Sequence, residues 1–321
     1  MSFSGNTKSE LARIIPQEDC CKLAELAALI RMSGVLQLTG LKKFNVRINT
    51  ENPSTARKIF KYIKELFQIH VEVLIRKNAR LKKNNHYMML ITHSMGSAII
   101  LEKVGIFKDY NNSFDITYEI PSQILTKPCC KRAYLRGAFL GGGSISAPEK
   151  TYHLEFVTNS PEHSEDLKNL INEFQLNAKI VERKGSYVVY IKEGDQVVDT
   201  LNIIGAHKAL LDLENIRIYK QMRNDINRIV NCETANLSKT VNASMRQIEN
   251  IQYIKDTIGI RELPLGLREI AELRLKYQDA SLKELGQMLN PSIGKSGVNH
   301  RLRKIEEIAQ RLQKKWDHKG N

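Results

Sequence analysis

The chain repeats itself, and that duplication constrains its fold more than any other feature of its 321 residues. The segment Glu18–Ile30 recurs as Lys127–Phe139, each copy opening on an adjacent cysteine pair. Asn49–Pro53 is answered by Val157–Pro161. A helical pattern follows both, with Ile59, Ile63 and Leu66 in one copy and Leu167, Leu170, Ile171 and Phe174 in the other. His86–Ile91 is matched by Ser186–Ile191, and Val104-Gly105-Ile106 by Ile204-Gly205-Ala206. Landmarks in the same order mean two copies of one unit. Each copy reads as helix, strand region, helix, β-hairpin, helix, with the strands marked by β-branched and aromatic residues. The first copy carries the longer hairpin loop, Arg76–Asn85. Its cations Arg76, Lys77, Arg80, Lys82 and Lys83 have no acid in the loop to offset them, so it suits either a phosphate backbone or a solvated tip.

Charge narrows the partners. Lys plus Arg total 49 against 35 Asp plus Glu, a formal net charge of +14, and such a surplus attracts polyanions, chiefly nucleic acid. No apolar run approaches the roughly 20 residues of a membrane span, and Met1–Ile15 is too polar for a secretory signal. Cys20, Cys21, Cys129, Cys130 and Cys232 do not follow usual zinc spacing. Their odd number argues against a disulfide framework, so the expectation is a reduced, cytosolic protein with no metal and no cofactor. The cysteine pairs read as packing residues at the start of matching helices. The histidines, His70, His93, His153 and His207 among them, are scattered without ligand spacing and read as structural or surface groups.

The first helix of each copy carries a resemblance. Leu26–Gly34 resembles the LAGLIDADG motif of homing endonucleases, and Leu135–Gly143 is similar to a second copy of it. Ala27, Ala28, Gly137, Ala138 and Gly141 are small enough to let two helices approach closely. The resemblance implies a pseudo-twofold pair of such helices, each ending in a metal-binding acid, with flanking sheets forming a saddle for DNA. Here the acid positions hold Ser33 and Gly142. Neither supplies the carboxylate that a hard cation such as Mg²⁺ needs. Cleavage is therefore expected to be absent, with a metal-dependent endonuclease as the alternative. Gly141-Gly142-Gly143-Ser144 reads as a helix cap and close-packing run; it lacks the preceding strand and the Lys-Ser/Thr ending of a phosphate loop.

From Gly205 to Ile258 the chain reads as a connecting helical segment, with Arg217, Lys220, Asn224 and Arg228 near one face, suited to phosphate or to solvent. Beyond Pro264 a three-helix pattern begins. Leu267, Ile270, Ala271, Leu273 and Leu275 mark the first helix; Ser281–Glu284 is a capping box opening a second, with Leu282, Leu285, Met288 and Leu289 inward. After the turn Asn290–Gly294, a last helix from about Ser296 buries Val298, Leu302, Ile305, Ile308 and Leu312. Such a helix-turn-helix places the start of its last helix in the major groove. Lys295, Ser296, Asn299, His300 and Arg303 would face bases, and Arg301 and Lys304 phosphates. A protein-binding module with a basic face is the bland reading of the same pattern.

The acid-less duplicated unit joined to Leu282–Gly286 and Lys295–Leu302 resembles the WhiA family of Gram-positive bacteria. That resemblance implies a regulator tied to sporulation, cell division or chromosome segregation. The expected fold is α+β: a duplicated LAGLIDADG homing-endonuclease-like domain, two αββαββα-like repeats about a pseudo-twofold, then an all-α helix-turn-helix domain. The expected boundaries are 1–110 and 111–226 for the repeats and 227–321 for the linker and reader. The expected partner is double-stranded DNA, with a protein partner on the endonuclease-like half, no membrane, a monomeric state and a nucleoid-associated, cytoplasmic location. A nucleoid-associated scaffold with weak sequence preference is the remaining alternative.

Overall fold

The computed structural model describes residues 2–40, 43–77, 85–110 and 113–317. It divides into two compact units, Met1–Lys220 and Gln221–Asn321. Arg80, Lys82 and Lys83 lie outside the described residues. Among the described residues no helix is long and apolar enough to cross a membrane.

The first unit contains both repeats around one core. Repeat one runs α2 (Asp19–Ser33), β1 (Gly34–Gly40), β2 (Lys43–Thr50), α3 (Pro53–Phe67), β3 (Glu72–Lys77), β4 (Asn85–Ile91) and α4 (Ser97–Lys103). Repeat two runs α5 (Pro128–Gly142), β7 (Gly143–Ile145), β8 (Leu154–Thr158), α6 (Pro161–Asn172), β9 (Lys179–Arg183), β10 (Ser186–Ile191) and α7 (Gly194–Ile204). The antiparallel sheets share one topology, β1-β2-β4-β3 and β7-β8-β10-β9. Two elements fall outside the repeat: the N-terminal helix α1 (Phe3–Leu11) and a hairpin between the copies, β5 (Phe107–Tyr110) with β6 (Ser113–Ile116).

The repeated sequence landmarks turn out to be structural punctuation. Asn52 and Ser160 cap α3 and α6 through their side-chain oxygens, and Pro53 and Pro161 follow at the first helical position, where a missing N–H costs nothing. Gly105 and Gly205 adopt φ of 71° and 91° after α4 and α7, a left-handed turn that a Cβ would disfavour. In each, the next residue's N–H returns to a helical carbonyl, Ile106 to Leu101 and Ala206 to Leu201, both at 2.8 Å. The paired strands alternate as they must with one face covered. Val46 and Ile48 of β2, Met89 and Ile91 of β4, Leu154 and Phe156 of β8, and Val189 and Ile191 of β10 are all buried beneath the helices.

The seam between repeats is the contact of α2 with α5. A Cβ on Gly137 would lie 2.3 Å from the carbonyl oxygen of Glu25 and 3.0 Å from Ala28 Cβ; one on Gly141 would lie 2.7 Å from Met32 Cβ. The small residues are required because backbone meets backbone there. Beside this approach the seam holds buried charge. Glu25, fully buried, accepts from Tyr62 Oη at 2.9 Å and from Arg136 Nε and Nη2 at 3.2 and 3.1 Å, and pairs with Lys58. Lys58 also donates to the Leu11 carbonyl, anchoring α1 at 3.0 Å. Burial pulls the Lys58 ammonium down to about 8 even with Glu25 beside it, and burial and Glu25 together push the Tyr62 phenol far up. Losing Glu25 alone would strand two buried cations, a change that typically costs about 3–5 kcal/mol. Arg31 is the second buried cation set: it donates to the carbonyls of Ala27, Val104, Gly105, Tyr118 and Glu119 at 2.9–3.3 Å, tying α2 to the chain that leads into repeat two. On the α5 side, Tyr134 Oη and Thr158 Oγ1 bracket the buried His163 ring at 2.9 and 3.2 Å.

The second unit takes in α8 (His207–Thr257) from Gln221 onward, then α9 (Leu265–Lys276), α10 (Leu282–Gln287) and α11 (Lys295–Asp317). Its core joins Ile251 and Ile254 of α8 to Leu267, Ile270 and Ala271 of α9, Leu285 of α10, and Val298, Leu302, Ile305 and Ala309 of α11. Met288, expected inward, is 46% exposed, and Ala309 takes the buried place while Ile308 and Leu312 sit at its edge.

Two measurements check this packing. Replacing Gly137 by Ala should gain about 1 kcal/mol of helix propensity and lose more to overpacking, about 1–3 kcal/mol, so the urea midpoint should fall. An unchanged midpoint would mean the helices stand further apart. Burial, with Arg31 adding to it, depresses His163 from 6.5 to about 3. The unfolded chain therefore takes up a proton below pH 6.5 that the folded chain refuses, and stability falls as pH drops from 6.5 towards 3, by up to about 1.4 kcal/mol per unit. In His163→Gln the dependence of the urea midpoint on pH should be shallower in that window.

Candidate nucleic-acid interface

The reader is built by its turn. Ser281 and Glu284 close the expected capping box at the start of α10, with Ser281 Oγ accepting from the Glu284 N–H at 3.3 Å and the Glu284 carboxylate accepting from the Ser281 N–H at 2.7 Å. Gly286 is buried where the turn folds back: its carbonyl accepts from Ile293 N–H at 3.0 Å, and a Cβ would lie 2.2 Å from the Ile293 oxygen. Val298, Leu302, Ile305 and Ala309 fall at three- and four-residue spacing, so one stripe of α11 is buried and the opposite one is fixed towards solvent.

On that outer face Lys295, Ser296, His300, Arg303 and Lys304 are exposed and Asn299 is half-buried. Glu306 and Glu307 follow one turn later. Positive and hydrogen-bonding groups therefore occupy the first half of the face, with the two acids following them. Arg301 departs from expectation. Its Nη1 donates to the Gly266 carbonyl at 3.1 Å and lies 4.0 Å from Glu269, so it braces α11 against α9. Sequence spacing could not separate it from its exposed neighbours. A further cation escaped the sequence reading: Arg274 is buried and donates to the Gln278 and Ala280 carbonyls at 3.2 and 2.7 Å, securing the link from α9 to α10.

The cations of the connecting helix divide. Arg217 is bound by Asp195 at 2.5 Å and Glu214 at 2.7 Å, and the Asp195 carboxylate holds its guanidinium more firmly protonated still. Lys220 donates to the Pro148 carbonyl at 2.6 Å and lies 5.0 Å from the Tyr152 ring centre. Both are committed within the first unit, against the expectation of a phosphate-facing row. Arg228 is exposed.

In the endonuclease-like unit the helix ends offer no hard-metal site. Ser33 Oγ donates back to the Leu29 carbonyl at 2.7 Å. At Gly142 even a Cβ would lie 2.5 Å from Met32 Cε and 2.7 Å from the Val157 oxygen, so a carboxylate has no room. Gly143 acts as the cap of α5, its N–H returning to Phe139, as the cap reading expected. Among the described residues no group of three His or carboxylate ligands converges there. The outward sheet faces are mixed. Arg76, Lys179 and Arg183 are exposed, yet Glu72 and Glu155 share the faces, together with exposed Val35, Leu74, Val157 and Val181. Lys77 closes β3.

Comparison with known proteins agrees with this division. The model for the WhiA N-terminal LAGLIDADG-like domain matches residues 19–107, that for the WhiA LAGLIDADG-like domain residues 131–223, and that for the WhiA C-terminal HTH domain residues 226–309. The chain is 70% identical over 314 residues to the probable cell division protein WhiA of Alkaliphilus oremlandii, covering 98% of each chain. It is 56% identical over 313 residues to the protein of the same name from Clostridium botulinum, covering 98% of this chain and 99% of that one. The crystal structure of full-length DUF199/WhiA from Thermatoga maritima aligns with 97% of this chain and 99% of its own at 26% identity and a TM-score of 0.58. Two LAGLIDADG-like repeats followed by a helix-turn-helix, with these relatives over nearly the whole length, place the chain: it belongs to the WhiA family.

Proposed function

We propose that this chain is a non-catalytic protein that reads double-stranded DNA through α11 and acts in the control of cell division, the role named for its relatives. The observation that carries the reading is the outer face of α11. Lys295, Ser296, Asn299, His300, Arg303 and Lys304 stand together on the first half of a helix whose other side is locked into the core. Asn and Arg are the side chains that bond adenine and guanine edges in two places at once, and Lys suits phosphate. What supports the absence of cleavage is the chemistry at Ser33 and Gly142: one hydroxyl turned back on its helix, and one position too tight for an acid. The exposed apolar residues on the outward sheet faces, Val35, Leu74, Val157 and Val181, with Glu72 beside them, favour a protein-holding role for the endonuclease-like unit over a second DNA saddle.

The test is salt-dependent binding of the full chain to preferred and random duplexes, with Mg²⁺ present and the DNA checked for cuts. A sequence reader keeps a large affinity ratio between the two as salt rises; a scaffold loses it. Arg303→Ala should cost about 1–3 kcal/mol on the preferred duplex and little on random DNA. Lys304→Ala should weaken both alike and reduce the salt slope by about one. Arg301→Ala should instead lower the stability of the reader, by about 1 kcal/mol for the lost bond to Gly266, and leave the salt slope unchanged. Equal losses on every duplex for Arg303→Ala would move that residue to the phosphate backbone and leave the reader reading unsupported.

A further inference from the structure

Sequence spacing made the adjacent cysteine pairs look like packing residues, because neither pair alone can surround an ion. The fold brings the pairs together. Cys20 and Cys21 lie in the first turn of α2, Cys129 and Cys130 in the matching turn of α5, and the pseudo-twofold seam sets those turns side by side. The sulfurs of Cys20, Cys21 and Cys130 all lie within 4.8 Å of one another. Cys129 neighbours Cys130 at the start of α5 and lines the same cavity as Cys21. All of these cysteines are free, with Cys21 and Cys130 buried, Cys20 half-buried and Cys129 on the rim.

Four thiols interleaved from two helices are a different object from two packed pairs. Tetrahedral thiolate coordination at about 2.3 Å per bond sets sulfurs about 3.8 Å apart, within about 1 Å of the spacing that Cys20, Cys21 and Cys130 already have, and Cys129 would complete the set by a side-chain rotation. Both pairs occupy the first turns of their helices, where free N–H groups and the helix dipole favour a negative thiolate-bound ion, although burial alone holds the Cys21 and Cys130 thiols protonated in the metal-free chain. The site also has an entrance. A cavity of about 570 Å³ reaches Cys21 and Cys129, and Arg132 on its lining adds positive charge where a thiolate-bound ion leaves a net negative one. Soft sulfur ligands select thiophilic cations and discriminate against Mg²⁺. The cluster lies at the opposite end of α2 from Ser33, about 18 Å away at 1.5 Å per residue, so it is no remnant of the endonuclease metal position.

We propose that Cys20, Cys21 and Cys130, with Cys129 as the fourth ligand, bind one thiophilic divalent cation of the zinc type and clamp the N-termini of α2 and α5 together. The ion replaces the thiol protons, which are released on binding. Repeat one and repeat two each supply one pair, so the ion crosslinks the two copies on the far side of the seam from the sheets.

The full chain, reduced and stripped with a chelator, is titrated with Co²⁺ and then Zn²⁺. Binding of one Co²⁺ per chain should produce thiolate-to-cobalt charge-transfer absorption with strong tetrahedral d–d bands, and Zn²⁺ should displace it. Cys232→Ser should leave this titration unchanged. Cys129→Ser, at an exposed position, should weaken binding by more than about tenfold, and Cys130→Ser should abolish the charge-transfer band, both variants being checked for native circular dichroism. Absence of the bands in the reduced wild-type chain, or bands unaltered in Cys129→Ser and Cys130→Ser, would overturn the proposal. So would a reduced chain that takes no metal yet forms a Cys21–Cys129 disulfide in air, which would make the cluster a redox pair.

Discussion

The approach of α2 to α5 is the constraint on which the first unit depends. Gly137 sits over the Glu25 carbonyl with no space for a methyl group, and Gly141 over Met32. At that distance the two repeats share one continuous hydrophobic core. The same closeness decides chemistry at both ends of the helices. At the C-terminal ends it leaves Gly142 against the Val157 oxygen, where a carboxylate does not fit. At the N-terminal ends it gathers Cys20, Cys21 and Cys130 into one cluster.

Buried charge fixes which residues may meet across that seam. Glu25, Lys58, Tyr62 and Arg136 form a set drawn from α2, α3 and α5, and Arg31 gathers five carbonyls from the chain between the repeats. Such groups are expensive to desolvate and tolerable only when fully partnered. The repeats differ at these points: the place of Glu25 in the first motif is held by Tyr134 in the second, which meets a neutral His163 instead. The pseudo-twofold is thus a symmetry of backbone and capping, with its polar interior specialised copy by copy.

The architecture was legible because its signals are local and repeated. Asn52-Pro53 and Ser160-Pro161 start helices, Gly105 and Gly205 end them, and alternation in His86–Ile91 and Ser186–Ile191 marks the covered strands. The capping box at Ser281 and the buried stripe of α11 were equally readable. What was not legible depends on contacts far apart in the chain. Arg301, Arg217 and Lys220 looked like free cations and are tied to Gly266, Asp195 and Pro148. Helix periodicity gives a direction for a side chain but not the acid or carbonyl that waits there. The cysteine cluster was invisible for the same reason, since its two halves are 109 residues apart (Cys20 to Cys129). Helix α1 and the β5–β6 hairpin have no counterpart in the other copy, so the duplication could not announce them.

Amide hydrogen exchange of the full chain, with and without its preferred duplex and with Mg²⁺ present, tests the central claim most directly. A reader joined to a silenced nuclease scaffold predicts slowed exchange in the first turns of α11 and the turn before it, no change at the C-terminal ends of α2 and α5, and intact DNA. Protection centred on Ser33 and Gly142 with α11 unaffected, or cleaved DNA, would contradict it.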